Sequence, residues 1–549
     1  MNLLGRYLTK IEHEGYENFA KDTDIIVPEN FNYGYDIIDE YAKLCPDKRA
    51  LVWCNDKGEE KIFTFGDMKV LSDKVAYILD KSGVHKGDFV MTMLNRRYEY
   101  WITAIACHKI GAVLVPATYL LTAKDIAYRI NNADVKVLIV TNEDDVTKHV
   151  AEAIPMCPSL KKVFTTTDSD LFESLDNAID NAPEGFVPRE KTTNDDKFLV
   201  YFTSGTTGNP KMVAHKYLYP LGHMITAKFW QDVVDDGLHL TMAETGWAKC
   251  SWGKIYGQWI AGTAIFVYDY FGKFTPTDIL PLISKYKITT FCAPPTIYRF
   301  LCKEDLSHYD FSSITHCSTA GEALNPEVAK QFKDQTGLNI YEGFGQTEST
   351  VILATFKYMD IKQGSMGKPS PIYNVELLDN DDMPVAQGET GEVCIRLREN
   401  QVGLIYQYHN DEERTKATFA NGIYHTGDLA YADSDGYYWY VSRKDDIIKS
   451  SGYRIGPFEV ESALHEHPAV LECAITGAPD PLRGQVVKAT IVLAKGYEPS
   501  EALIKELQNH VKKATAPYKY PRIVEFVSEL PKTISGKIMR KDLRAKDNK

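Results

Sequence analysis

The 549-residue chain is 44% hydrophobic and 25% charged, close to the average for folded soluble domains, so it can bury a large core and is not disordered. At roughly 100–200 residues per domain, that length allows three or four structural units. A formal net charge of −13 makes it a poor wrapper of nucleic acid, which is held mainly by cations facing phosphates.

The first residues, MNLLGRYLTKIEHEG, contain no apolar core of a signal peptide and no cleavage pattern. Ten cysteines are scattered without a Cys-x-x-Cys pair, which argues against metal or disulfide use and fits a reducing cytoplasm, the expected location.

In chain order, strand-like apolar runs at 89–94, 112–116 and 135–140 alternate with helical patterns such as 98–110, which predicts βαβ units in a largely parallel sheet. The longest apolar stretch, 101–121, is broken by His108, Lys109 and Pro116. A membrane span needs about 20 mostly apolar residues, so this stretch reads as a buried helix followed by a strand. A second alternating set has strands at 238–242, 263–267, 289–293 and 314–319. From about Val375, short strands with turn signals at Gly388-Glu389 and Asp435-Gly436 predict a smaller β-rich unit.

Residues 442–446 mark the best boundary, dividing the chain into 1–444 and 445–549. Beyond it, Pro457 suits the first turn of a helix that carries Val460 and Leu464 on one face. Strands follow at 470–475 and 486–493, then a helix with Leu503, Leu507 and Val511 on one stripe. Residues 500–549 hold 12 Lys/Arg against 6 Asp/Glu, a basic stretch in an acidic chain.

The densest chemical signal is YFTSGTTGNPK, 201–211. An apolar strand leads into two glycines, four hydroxyl side chains and Lys211. Glycine lets the backbone approach a ligand closely, and clustered N–H and O–H donors beside a lysine suit a polyphosphate. The loop is not a Walker A motif: its spacing is Gly-x-x-Gly-x-x-Lys, and Met212 stands where a magnesium-binding hydroxyl would be.

Six further segments follow in order: AGEAL (320–324), YEGFGQTE (341–348), YHTGD (424–428), SRKDD (442–446), SGYR (451–454) and PKTISGK (531–537). Together with the loop they resemble the adenylate-forming superfamily of acyl-CoA synthetases, luciferases and peptide-synthetase adenylation domains, over nearly the whole chain. GWAKCSWGKIYGQWIAG (246–262) and TAPYKYPR (515–522) look most like medium-chain acyl-CoA synthetases and their acetyl-CoA synthetase-like microbial relatives. The fold implied is α/β: two doubly wound subdomains and a distorted β-barrel-like subdomain, followed by a small mobile α+β lid. The reaction implied is acid + ATP + CoA → acyl-CoA + AMP + pyrophosphate, with Mg²⁺ as cofactor. The acid would be short to medium in chain length, branched acids included. The alternatives are an acetyl- or propionyl-CoA synthetase, or an enzyme that loads a carrier protein.

The resemblance also implies residue roles. Thr203, Ser204, Gly205, Thr206, Thr207, Gly208 and Lys211 would hold the ATP phosphates. Gly321, Glu322, Glu342, Gly343, Phe344 and Gln346 would border the nucleotide, with Phe344 either an aromatic face for adenine or core. Thr347 would bond the α-phosphate, Glu348 would hold Mg²⁺, and Asp428 with Arg443 would take the ribose. Lys537 would stabilise the charge developing when two anions join, and Arg454 would meet the adenylate phosphate or the substrate.

Asp445 would be the hinge, and Ser451, Gly452, Tyr453, Arg483, Lys512, Tyr520 and Arg522 would receive CoA. Trp247, Ala248, Lys249, Trp252, Ala320 and Gly345 would line the acyl pocket, with Trp259 behind it, although the three tryptophans also suit a core. Gly345 stands where acetyl-specific relatives place a pocket-closing tryptophan, so an open pocket is expected. Partners expected are the acid, ATP and CoA, a homodimer and a regulatory lysine acetyltransferase; no nucleic acid and no membrane span are expected.

Overall fold

The computed structural model describes residues 1–203, 210–272, 274–451, 453–532 and 538–547. Among these, four sheets organise the chain. The first has eight strands, with Phe89–Met93 near its centre, flanked by Val113–Pro116 and Val135–Val140 in parallel register. Every residue of Phe89–Met93 is buried, as expected of a strand covered on both faces. The second sheet has nine strands, and its centre (Leu238–Thr241, Ala264–Asp269, Thr290–Cys292, His316–Ala320 and Ile340–Phe344) is parallel throughout. Both alternating sets therefore form the sheets expected of them.

The helix Glu99–Ile110 is buried on every side, including Glu99, His108 and Lys109. Its charges are paired rather than solvated: Lys109 Nζ lies 2.6 Å from carboxylate oxygens of both Asp73 and Asp39, and Glu99 takes Arg97 at 2.6 Å. A buried charge is tolerable only when so paired. Among the described residues, no helix is long and apolar enough to cross a membrane.

The third sheet, Asn374–Leu378, Gly391–Arg396, Ile423–Ala432 and Tyr438–Arg443, is antiparallel. Its ladder runs from edge to edge without closing, so among the described residues the barrel-like unit is an open sheet. The fourth sheet uses only residues beyond 447, in an α+β unit with the helices Pro457–His465 and Glu501–Ala514. Its two long strands, Val470–Asp480 and Gly484–Leu493, outrun the apolar runs that reveal them because they form one continuous antiparallel hairpin. The last helix, Arg540–Asp547, folds back so that Arg544 pairs with Asp446, while Arg540 Nη2 donates to both oxygens of Glu461 at 2.7 and 2.8 Å.

Candidate active site

The segment 201–211 begins on the strand Lys197–Thr203 and ends on a second strand, Lys211–Lys216, antiparallel to the first. Thr203 and Lys211 are opposite each other in this register. Ser204, Gly205, Thr206, Thr207 and Gly208 lie outside the described residues. Thr203 Oγ1 is buried and has no hydrogen-bond partner among the described residues.

Lys211 Nζ donates to Glu348 Oε1 at 2.5 Å, and Tyr408 Oη donates to the same oxygen at 2.9 Å. Burial alone would push the Glu348 carboxyl up; the charge of Lys211 and these hydrogen bonds outweigh it and hold the group below its usual range. Glu348 is therefore a buried carboxylate kept ionised. Beside it, the main-chain oxygen of Thr347 accepts from His215 Nε2 at 2.8 Å. Burial pushes His215 down to about 4, so this histidine is neutral and its tautomer is fixed by the bond.

Gln346 links this carboxylate to a second one. Its amide nitrogen donates to Asp428 Oδ2 at 2.5 Å, and its amide oxygen accepts from Tyr424 Oη at 2.7 Å. Asp428 lies opposite Arg443 on adjacent antiparallel strands, with Arg443 Nη1 3.2 Å from Oδ2 and Tyr440 Oη 3.4 Å from Oδ1. Sequence reasoning missed His215, Tyr408 and Tyr440 because they lie outside the motifs; Tyr424 lies inside YHTGD and could have been named.

The strand Ile340–Phe344 sorts its residues by alternation. On one face lie Phe344, partly buried, and Glu342, whose carboxyl burial pushes up to about 8 and whose Oε2 has no partner among the described residues. On the other, Gly343 faces the indole of Trp230 and, just past the strand, Gly345 faces Trp252. A Cβ on Gly345 would lie 2.4 Å from Trp252 Cη2 and 2.7 Å from the Thr350 carbonyl oxygen. The space that Gly345 leaves is thus already taken by Trp252, and the expectation of an open pocket there is corrected. The indoles of Trp230 and Trp252 meet edge to face at 5.9 Å.

The remaining pocket residues divide. Trp252 and Lys249 sit on the short helix Ala248–Gly253, whose first residue is Ala248 and whose preceding residue is Trp247. A Cβ on Gly321 would be 2.6 Å from Lys249 Nζ, so the Lys249 head group rests at Gly321, beside Ala320. Trp247 donates from Nε1 to Glu244 at 3.3 Å. Trp259 belongs to the core, fully buried and bonded to the Ala50 carbonyl at 2.8 Å. Glu322 is exposed and accepts from Thr296 Oγ1 at 2.9 Å.

On the fourth sheet, Arg483 Nη1 donates to Ser451 Oγ at 3.1 Å. Tyr453 stacks on Tyr518 at 4.1 Å, and Lys512 Nζ stands 4.0 Å above the Tyr520 ring, whose hydroxyl takes Arg522 Nη1 at 2.7 Å. Arg454 is exposed on the strand Tyr453–Ile455. Asp445 stands between the third and fourth sheets, 3.9 Å from Arg443 Nε. Gly452 and Lys537 lie outside the described residues.

The profile described as "AMP-binding enzyme" matches residues 38–406, and "AMP-binding enzyme C-terminal domain" matches 459–537. The chain is 42% identical to acyl-coenzyme A synthetase ACSM3, mitochondrial, of Mus musculus, over 99% of this chain and 95% of that one. It is 43% identical to acyl-coenzyme A synthetase ACSM4, mitochondrial, of Homo sapiens, over 94% and 91%. The anthranilate CoA ligase AuaEII in complex with anthranoyl-AMP superposes with a TM-score of 0.86 at 30% identity, covering 95% of this chain and 98% of that one. A benzoate CoA ligase from Burkholderia xenovorans LB400 superposes at 0.82 with 26% identity, covering 94% and 100%. The mitochondrial relatives overturn the expected cytoplasmic location; free thiols report reducing surroundings, not an address. With one profile spanning residues 38–406 and relatives at 42% identity over nearly its full length, the chain belongs to the AMP-binding enzyme family, among the acyl-coenzyme A synthetases.

Proposed function

We propose that the protein activates a carboxylic acid with ATP to an acyl-adenylate and then transfers the acyl group to coenzyme A. The observation that carries this reading is the pair of buried carboxylates, Glu348 and Asp428, joined through the single turn that bears Gln346. Asp428 offers a ribose-binding oxygen pair beside Arg443. Thr203, the loop 204–208 and Lys211 frame the phosphates, with Thr347 at the α-phosphate. Phe344, Gly321 and Glu342 border the base, with Glu322 at its exposed edge.

Glu348 fits a magnesium role, being an ionised buried oxygen ligand held by Lys211 and Tyr408. When bound, Mg²⁺ would supply charge neutralisation between phosphate oxygens. Lys537 is the proposed adenylation catalyst, and its acetylation would remove the charge on which that step depends. Asp445 is the proposed hinge between 1–444 and 445–549. The Ser451–Arg483 and Tyr453–Tyr518 contacts, with the Lys512–Tyr520–Arg522 cluster, support a face for CoA, with Gly452 and Arg454 beside it.

The acid is short to medium in chain length, branched acids included. Trp252 beside Gly345 favours a second reading, in which the pocket narrows early and the best acids are short, down to acetate or propionate. Pyrophosphate exchange with and without CoA, over an acid panel from acetate to octanoate, tests both. Exchange without CoA and thioester only with CoA is the expected pattern; thioester formation on a carrier protein instead of CoA would overturn it.

A further inference from the structure

A group of metal-ligating side chains lies outside the cleft, on the third sheet. Cys394 is the direct cross-strand partner of His425, and Glu392 precedes Cys394 by two residues on the strand Gly391–Arg396, opposite a bulge in the strand Ile423–Ala432. Cross-strand partners and residues two apart share one face of a sheet. One donor atom from each of the three lies within 4.8 Å of the others. His425 Nδ1 is 3.5 Å from Cys394 Sγ and 3.5 Å from Glu392 Oε2.

These separations have a meaning. With Zn–S about 2.3 Å and Zn–N and Zn–O about 2.0–2.1 Å, a tetrahedral ion separates its nitrogen and sulfur ligands by about 3.5 Å and its nitrogen and oxygen ligands by about 3.3 Å. The other imidazole nitrogen, Nε2, faces Asp382 Oδ1 at 3.6 Å. A carboxylate behind the distal nitrogen is the usual outer partner of a metal-bound histidine, orienting the ring and raising its basicity. Glu392 and Cys394 are buried, whereas the His425 side chain is 21% exposed, which leaves a way in from solvent.

We propose that Glu392, Cys394 and His425 form a binding site for a borderline-soft divalent cation of the Zn²⁺ type, with a fourth position open to water. Without the ion, the charge of Glu392 is met by Lys444, whose Nζ lies 2.9 Å from Oε2, the oxygen that also faces His425. The Cys394 side chain is buried beside His425 Nδ1 and binds the cation as a thiolate. On binding, its S–H bond breaks, a sulfur–metal bond forms and the proton leaves to solvent, with no change in oxidation state. The cation takes the place of Lys444 at Glu392. Lys444 directly precedes Asp445, and its backbone N–H donates to the Gly427 carbonyl at 2.8 Å, next to Asp428. Occupancy therefore changes which charge holds Glu392 at the joint between the third and fourth sheets.

Titrating chelator-treated full-length protein with Co²⁺ tests this by absorption. The expected result is one equivalent bound, with a thiolate-to-cobalt charge-transfer band, intense tetrahedral visible bands and displacement by Zn²⁺. Cys394→Ser should abolish the charge-transfer band, and His425→Gln should weaken binding at least roughly tenfold. Lys444→Met, which removes the competing cation, should tighten it. A missing thiolate band, or one that survives unchanged in Cys394→Ser, would place any metal on another of the ten cysteines and overturn the site. If Cys394→Ser does not fold, unaltered affinity in both His425→Gln and Glu392→Gln overturns it equally. Unchanged affinity in Lys444→Met would refute the displacement.

Discussion

Two walls meet around the segment 340–350, and they are built differently. On the proposed nucleotide side, Glu348 and Asp428 are buried carboxylates, each held by a cation and at least one neutral donor. On the proposed acyl side, Gly343 and Gly345 contribute no side chain, and the indoles of Trp230 and Trp252 fill the room. The first wall is specified by charge and hydrogen bonds, which act on groups that every acyl-adenylate shares. The second is specified by shape, which is all an aliphatic tail offers. A change in the first should therefore alter rate for every acid, and a change in the second should alter which acid is chosen.

The largest expected effect belongs to Lys537, the proposed adenylation catalyst, which lies outside the described residues. Lys537→Ala should lower pyrophosphate exchange by roughly 100-fold or more for all acids alike, the scale of one preorganised charge-stabilising donor. Thioester formation from pre-made acyl-adenylate should persist; equal loss in both half-reactions would remove Lys537 from the first step.

The shape wall should break next. Gly345→Ala forces Trp252 or the Thr350 carbonyl to move, and overpacking of this kind costs about 1–3 kcal/mol. Thermal unfolding and kcat/KM should both report it, and adding Trp252→Leu should restore much of the loss. Trp252→Leu alone should shift the optimum toward longer acids, by roughly tenfold per step of one or two methylenes. An unchanged acid profile would show that Trp252 is packing rather than pocket.

How far these walls were legible in the sequence follows from what each is made of. The charged wall sits in motifs: Glu348 and Gln346 are two residues apart, and Asp428 and Arg443 lie in separate segments that each carry a recognisable pattern. Trp252 and Gly345 are 93 positions apart, and no local pattern says that the helix Ala248–Gly253 packs its indole there. The same holds for Lys249 at Gly321. The strand Lys211–Lys216 was missed; it pairs antiparallel with Lys197–Thr203. The βαβ pattern was legible because fully buried parallel strands are continuous apolar runs.

Glu342 sharpens the comparison through pH. Its carboxyl moves from 4.5 to about 8 because burial disfavours the anion. The folded state therefore holds a proton that the unfolded state has released across that window. Stability linked to it is fully present below the unfolded value and is lost as pH rises toward 8. Glu342→Gln should flatten this decline, measured as the midpoint of denaturant unfolding from pH 5 to 8; a parallel decline would show that Glu342 is ionised throughout.

The smallest effect is expected farthest from both walls. Lys512→Ala removes a cation standing over Tyr520, an exposed interaction of about 0.5–1 kcal/mol, and should raise KM for CoA roughly two- to fivefold with kcat little changed. A drop in exchange without CoA would instead tie Lys512 to the first half-reaction.

The returning helix Arg540–Asp547 gives the joint at 445 a property that its own residues do not have. Asp446 is gripped by Arg544, Arg540 grips Glu461, and Lys488 reaches Asp547 at 2.5 Å, so the far end of the fourth unit is bolted to its near end. A lid turning at the proposed hinge, Asp445, would carry its first and last residues together, because these ion pairs tie them. In hydrogen exchange, the amides of 446–450 and 540–547 should therefore open as one cooperative block, distinct from the sheet that holds Asp428.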